Sequence, residues 1–469
     1  MNDQQLYKLG LTNKTELSTA RSCIQYGQAR GLSLKQLKKK LNRALRNPEK
    51  HRDDPVFAPL STLLIRTGKS AGGTNRHQSS TGGAPYRKWG RDLDPQAIRQ
   101  MEQACSLPVS IRGALMADAH VGYGLPIGGV LATDNAVIPY AVGVDIACRM
   151  KLTVLDMPAK SLRDERCEDL RRAIETETRF GVGATFIKRR NHDVMDKDWS
   201  VSPVLRRMKD RAWSQLGTSG SGNHFVEFGT IQVEREGLGL KEGEYLALLS
   251  HSGSRGTGAE VCRHYSQIFQ SAQKGLPPEL RHLAWMSMDK GEAQEYWQAM
   301  QLMGDYSAAN HELIHDHILR HLGETSLASV ENHHNFAWKE HHDGRSVIVH
   351  RKGATPAARG VLGIIPGSMA SRAYIVRGLG NPDSLNSVSH GAGRVLSRSR
   401  AKRILSWGDV MKNLQEKKVK LLSAGIDESP AVYKDIEAVM ASQRDLAESL
   451  GYFMPALVKM APAGERPED

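Results

Sequence analysis

The chain has 469 residues, 40% hydrophobic and 25% charged, with a formal net charge of +13. That balance excludes wholesale disorder and collagen-like or coiled-coil architectures. No run approaches the ~18–20 apolar residues that cross a membrane. The N-terminus, MNDQQLYKLG, is polar and lacks a signal-peptide core. A soluble, cytoplasmic protein without membrane partners is expected. The positive excess favours an anionic partner, most commonly nucleic acid. A basic enzyme with a solvated surface is the plainer alternative. Five scattered cysteines (Cys23, Cys105, Cys148, Cys167, Cys262) form no CxxC. They argue against a disulfide framework and for a reducing compartment.

Residues 1–50 carry eleven Lys/Arg and three acids. Asn13 with Glu16 fits a capping-box start of one helix, and Ser33 fits the cap of a second. Leu34, Leu37, Leu41 and Leu45 then recur at helical spacing, with lysines on the other face, and Pro48 fits a stop. Residues 1–66 therefore read as a small basic helical module, suited either to RNA or to solvent. Residues 67–85, TGKSAGGTNRHQSSTGGAP, have linker composition. GKS within them is not a P-loop, because Leu63 stands where that motif needs its first glycine.

From residue 86 short β-like runs alternate with helical patterns. The runs are VSIRGALMAD, GGVLAT, AVIPYAVGV, KLTVLD, YLALLSH, RSVIVHR and GVLGIIPG. Helical patterns cover 159–176, 203–216, 279–323 and 431–450. The expected fold is α+β, one large domain of mixed strands and helices over 86–469.

Glycine-rich segments holding chemically competent side chains recur in this domain. Asp145 and Cys148 are three apart, and His224, His251 and His334 each lie near the end of a short apolar segment. One carboxylate, one thiolate and three imidazoles can hold one or two transition metals. The donor types admit zinc, manganese, cobalt or nickel. Arg255, Lys352, Arg394 and Arg398 accompany the same motifs, and guanidinium groups grip phosphate. Metals, arginines and glycine nests suit phosphoryl or nucleotidyl transfer. His390, in SHGAGR, is then a candidate nucleophile, with a further metal ligand or a loop histidine as the alternatives.

The segments DAHVGYGLPIGGV, VIPYAVGVDIAC, GNHFVE, HSGSRG, HHN, HRKGAT, IIPGSM, HGAGR and ESPAVYKDI follow one another between residues 86 and 460. In this order they resemble the RtcB family of RNA-splicing ligases. That resemblance implies a GTP-dependent enzyme joining 3′-phosphate or 2′,3′-cyclic-phosphate RNA ends to 5′-hydroxyl ends. It implies a two-metal site of Asp145, Cys148, His224, His251 and His334, with the thiolate bridging two Mn2+. It implies that His390 is guanylylated. Asn223, His224, Phe225, Val226, Glu227, His334, Asn335, Pro366, Gly367, Ser368, Met369, His390, Gly391, Ala392, Gly393, Tyr433 and Lys459 match the GTP pocket. Arg255, Arg394 and Arg398 match residues placed for RNA phosphates. The implied partners are RNA with broken ends, tRNA or rRNA, and an archease-like activator.

Three residues depart from the family pattern. Ala147 and Arg149 replace glycines in GVDIACRM, which puts a cation beside the metals, and Ala373 replaces a serine after IIPGSM. Residues 1–85 lie outside the resemblance. A divergent RNA ligase for repair or tRNA splicing is the leading expectation. The alternative is a metal-dependent RNA 3′-end-processing or capping enzyme that does not complete joining. A non-catalytic RNA binder needs no such residue set.

Overall fold

Helix signals in the basic N-terminal segment translate into a small helical unit with its own core. The computed structural model describes residues 6, 11, 14–46, 51–52, 54–66 and 83–465. The chain divides into two compact units, 1–76 and 77–469. In the first, α1 (Lys14–Ala29), α2 (Leu34–Arg46) and α3 (Ala58–Arg66) bury Leu17, Ile24, Leu37, Leu41, Phe57 and Leu60. Ser33 and Gln36 form a capping box: Gln36 N donates to Ser33 Oγ at 3.4 Å, and Ser33 N to Gln36 Oε1 at 2.9 Å. Asp54 Oδ1 accepts from Val56 N (2.9 Å) and Phe57 N (3.0 Å) ahead of α3. The Asn13 cap, the Pro48 stop and most of the 67–85 linker lie outside the described residues.

The second unit is the expected α+β body. β1 (Tyr86–Lys88), α4 (Pro95–Cys105), β2 (Ser110–His120) and β3 (Ile127–Thr133) open it. Then follow β4 (Arg149–Leu155), α5 (Pro203–Gln215), β5 (Phe225–Val233), β6 (Gly243–Ser252), α6 (Arg255–Ala272) and α7 (Gly291–Leu322). After them come β7 (Ser326–His333), β8 (Asn335–His342), β9 (Arg345–Lys352), β10 (Leu362–Pro366), β11 (Ala373–Gly378), β12 (Lys420–Ser423) and β13 (Ala447–Met460). One sheet runs β1-β2-β3-β9-β8. The larger runs β10-β11-β13-β5-β6-β4-β7, with β12 added parallel to β13. Helices α5, α6 and α7 pack through Leu205, Phe269, Tyr296 and Tyr306.

Three expected elements differ. The helix expected over 279–323 is a short 3-10 turn at Pro278–Leu283, a two-residue strand at Met286–Ser287 and then α7. AVIPYAVGV is strand only at Ala136–Val137, because Pro139 starts a short helix, Pro139–Val142, that Gly143 ends at φ 114°. The helix expected over 431–450 shrinks to Ile436–Ala441, and the chain then enters β13, a long interior strand. Leu446, Leu450, Phe453 and Leu457 are buried at spacings of four, three and four, which imitates a helix. Irregular pairing at Ile375/Val376 and Pro455/Leu457 breaks the strand's period of two and creates that spacing.

β5 and β13 approach so closely at Gly229 that a Cβ there would lie 2.0 Å from Met454 O. Gly229→Ala is expected to destabilise the unit by about 1–3 kcal/mol through overpacking against backbone. A lowered midpoint in urea denaturation followed by tryptophan fluorescence is the check.

Candidate active site

The larger sheet gathers the metal-competent side chains by its strand directions. β5, β6, β4 and β7 are neighbours and all antiparallel. The starts of β4 and β5 and the ends of β6 and β7 therefore share one edge. Cys148 precedes β4, His224 precedes β5, His251 is next to last in β6, and His334 follows β7. Cys148 Sγ lies 3.0 Å from His251 Nε2 and 3.4 Å from His224 Nε2. His251 Nε2 lies 3.4 Å from His334 Nε2, and Asp145 Oδ2 lies 3.1 Å from His224 Nε2.

The surroundings orient these donors. His251 Nδ1 donates to Asn223 O at 3.1 Å, which leaves the Nε2 lone pair facing Cys148. Burial, aided by the neighbouring His224, pushes His251 down to about 3, so its ring is neutral. His334 is driven well down by burial and by His390, and its Nδ1 is buried without a hydrogen-bond partner. Burial alone raises the Asp145 carboxyl, but the hydrogen bond and charge of His224, with Arg255, hold it below the ordinary range. Ser254 N and Oγ donate to Asp145 Oδ1 at 3.0 and 3.2 Å. One S, three N and one O donor crowded in a buried site fit transition-metal coordination. Cys148, His224 and His251 are the tightest such group among the described residues.

His390 reaches this cluster just after the short strand Ser387–Ser389, and its ring centroid lies 4.9 Å from that of His334. Its partner is Asp118 on β2. Asp118 Oδ2 accepts from His390 Nδ1 (2.7 Å), His390 N (3.1 Å) and Gly391 N (3.2 Å). Burial opposes the charge on Asp118, but His390 and then Lys434 hold its carboxyl below the usual range. Gly393, at φ 76°, lets the HGAG turn press against β2, where a Cβ would lie 2.0 Å from Asp118 O.

Beside His390 opens a cavity of about 660 Å³. Of the expected pocket residues, Asn223, Phe225, Glu227, His334, Pro366 to Met369, His390 to Gly393 and Tyr433 line it. Val226 and Lys459 do not. The register pairs Lys459 with Val226, so both project from the opposite face to Phe225, Glu227, Val458 and Met460. Lys459 instead lies 5.8 Å from the Phe180 ring, and burial with nearby Arg179 lowers it to about 8. Asn335 clips loops together: Nδ2 donates to Asp145 O (3.1 Å) and Oδ1 accepts from Gly353 N (2.7 Å). His224 belongs to the donor cluster.

The arginines expected at RNA phosphates separate. Arg255 is 2% exposed, with Nη1 3.5 Å from His224 Nδ1, so it lies behind the donors and away from any solvent-borne phosphate. Arg394 and Arg398 line the cavity and are tied to Glu428, Arg394 at 3.1 Å. Glu428 also accepts from the Tyr433 hydroxyl, whose pKa burial and that carboxylate push well up.

The family model described as "tRNA-splicing ligase RtcB" matches residues 100–460. The chain is 33% identical over 400 residues to the "RNA-splicing ligase RtcB" of Escherichia coli K12, covering 79% of this chain and 95% of that protein. It is 30% identical over 440 residues to the "tRNA-splicing ligase RtcB" of Nanoarchaeum equitans, covering 78% and 91%. It is 32% identical over 429 residues to the "RNA-splicing ligase RtcB" of Mycobacterium bovis, covering 76% and 98%. This chain belongs to the RtcB family.

The departures from the RtcB pattern acquire positions. Ala147 adopts a left-handed backbone, φ 56°, pinned by its N–H to Asn335 O at 2.6 Å. The Arg149 guanidinium turns away to Glu331 (2.8 Å) and Gly304 O (3.5 Å) rather than into the donor cluster. Ala373 lines the cavity, and so does Ser371, whose Oγ accepts from Ser368 N at 2.6 Å. Asp118 is the partner of His390 that sequence reasoning missed. Its signal was a carboxylate inside the RtcB-like DAHVGYG segment. His120 of the same segment also lines the cavity, lowered to about 4 by burial.

Cys148→Ala or His251→Ala removes a donor from the middle of the cluster. Bound transition metal counted by inductively coupled plasma mass spectrometry at limiting metal is expected to fall at least about tenfold. Far-UV circular dichroism is expected to stay unchanged.

Proposed function

We propose that this RtcB-family chain is a GTP- and Mn-dependent RNA ligase that joins 3′-phosphate or 2′,3′-cyclic-phosphate ends to 5′-hydroxyl ends, in RNA repair or tRNA splicing. The observation that carries the proposal is His390, oriented by buried Asp118, at the wall of a nucleotide-sized cavity and against the donor cluster. Bound at Asp145, Cys148, His224, His251 and His334, two Mn2+ ions would supply Lewis-acid neutralisation of phosphate charge.

Asp118 holds the proton on His390 Nδ1, so Nε2 carries the lone pair. Nε2 attacks the α-phosphorus of GTP. The N–P bond forms, the bond to the bridging oxygen breaks, and pyrophosphate leaves. Asp118 offsets the positive charge growing on the ring. Tyr433, Pro366 to Met369 and Gly391 to Gly393 enclose the guanosine. Glu227 lines the same wall, and burial drives its carboxyl well up, which favours the protonated form. Water opens a cyclic end to the 3′-phosphate. An oxygen of that phosphate attacks the guanylate phosphorus and frees His390. The 5′-hydroxyl then attacks the activated 3′-phosphorus, and GMP departs. Arg394 and Arg398 at the cavity wall attract the RNA phosphates.

An unoxidised Cys148 requires reducing surroundings, which supports a cytoplasmic location. An archease-like activator is the proposed partner besides RNA, by resemblance to the family. The reading in which reaction stops at a capped 3′ end draws on Arg149 and Ala373, of which only Ala373 lines the cavity.

The test is incubation with Mn2+ and α-labelled GTP, then with RNA bearing 3′-phosphate and 5′-hydroxyl ends. Wild type is expected to hold covalent label and to release joined RNA, and His390→Ala to hold none. A labelled His390→Ala would overturn the nucleophile. A capped RNA end without joining would favour the alternative. Asp118→Asn is expected to slow adduct formation roughly 10²–10⁴-fold while metal content stays unchanged.

A further inference from the structure

Residues 1–66 contain 13 Lys/Arg and 5 Asp/Glu, a net +8 of the chain's +13. The basicity of the whole protein is thus concentrated outside the segment that matches the family model, 100–460. The structure shows where that charge stands. α2 turns Leu37, Leu41 and Ala44 into the core of its own unit, all at 0–1% exposure. Its other face presents Lys35, Lys38, Lys39 and Arg43, all exposed. The helix contains no acidic residue. Among the described residues, none of the four has an ion-pair partner. Lys40, at the flank, is already paired with Asp54 at 3.0 Å, and Glu16 is buried.

We infer that this basic face of α2 is a second RNA-binding site, one that grips backbone phosphates outside the catalytic domain. Four cations within two and a half helical turns match the anion density of a nucleic-acid strand. A membrane surface is the poorer match. An interfacial helix needs its apolar face free to enter lipid, and here that face is consumed by the core of the unit. A second exposed feature suits RNA. Tyr26 on α1 is 47% exposed, with the Arg30 guanidinium 4.9 Å from its ring centroid. Such a pair can stack on an unpaired base. The inference rests on RNA being the substrate and is independent of the chemistry at His390.

The test uses the full chain and a fluorescent 20-nucleotide single-stranded RNA, with Kd measured by anisotropy across a KCl series. A variant combining Lys35→Glu, Lys38→Glu, Lys39→Glu and Arg43→Glu is compared with wild type. Loss of four single-strand phosphate contacts is expected to flatten the slope of log K against log [KCl] by about 3. Affinity at 100 mM KCl is expected to fall at least tenfold. Covalent labelling by GTP is expected to stay unchanged, so a failure at His390 would show itself separately. Should circular dichroism show the glutamate variant unfolded, the corresponding Lys→Gln and Arg→Gln variant decides, with the same loss expected. Unchanged slope and affinity would overturn the site. So would RNA binding that is unchanged while binding to phosphatidylserine vesicles or to polyglutamate is lost.

Discussion

Strand direction is the constraint on which the rest of the site depends. Donors from positions 148, 224, 251 and 334 are far apart in the chain. They meet because β5, β6, β4 and β7 alternate in direction, so two starts and two ends fall on one edge. Hydrogen-bond ladders between these strands fix the donors to within the tolerance that coordination chemistry needs. No loop has to fold on its own to make the cluster. The adjacent loops contribute Asp145, locked by Ser254, and Asn335, which ties the Asp145 carbonyl to Gly353.

His390 is anchored to the smaller sheet by a side chain of β2. Asp118 belongs to β2, and it accepts three hydrogen bonds from the His390–Gly391 turn. One buried carboxylate therefore does two things. It fixes the turn against β2, and it chooses which imidazole nitrogen keeps its proton. Lys434, whose Nζ donates to Ala117 O and Ala119 O on either side, steadies the carboxylate's strand and its charge. The metal-competent donors hang from one sheet and His390 is fixed to the other through Asp118, and the two groups meet at the His334–His390 contact.

Sequence reasoning located what depends on residue type. A thiolate, a carboxylate and three imidazoles in small-residue contexts announce coordination chemistry whatever the fold, and the structure brings them together. What depends on register was out of reach. Val226 and Lys459 sit one residue from cavity-lining neighbours, and motif order cannot tell the two faces of a strand apart. What depends on packing across the chain was also out of reach. Asp118 and His390 are 272 positions apart, and Arg149 finds Glu331 instead of the metal donors only once β4 and β7 are paired. The helix expected over 431–450 runs past Ala441 into the first residues of β13, where irregular pairing blurs the period of two that marks a strand.

The alternation along β13 also sets what kind of variation this site can absorb over generations. Substitutions on its outward side, where Lys459 stands, leave the cavity wall in place. An inserted or deleted residue between the Pro455 irregularity and Met460 would exchange the two faces. Lys459 would turn inward and Val458 outward, and the partners on β5 and β12 would shift with them. Lineages carrying this strand are therefore free in its composition and bound in its length.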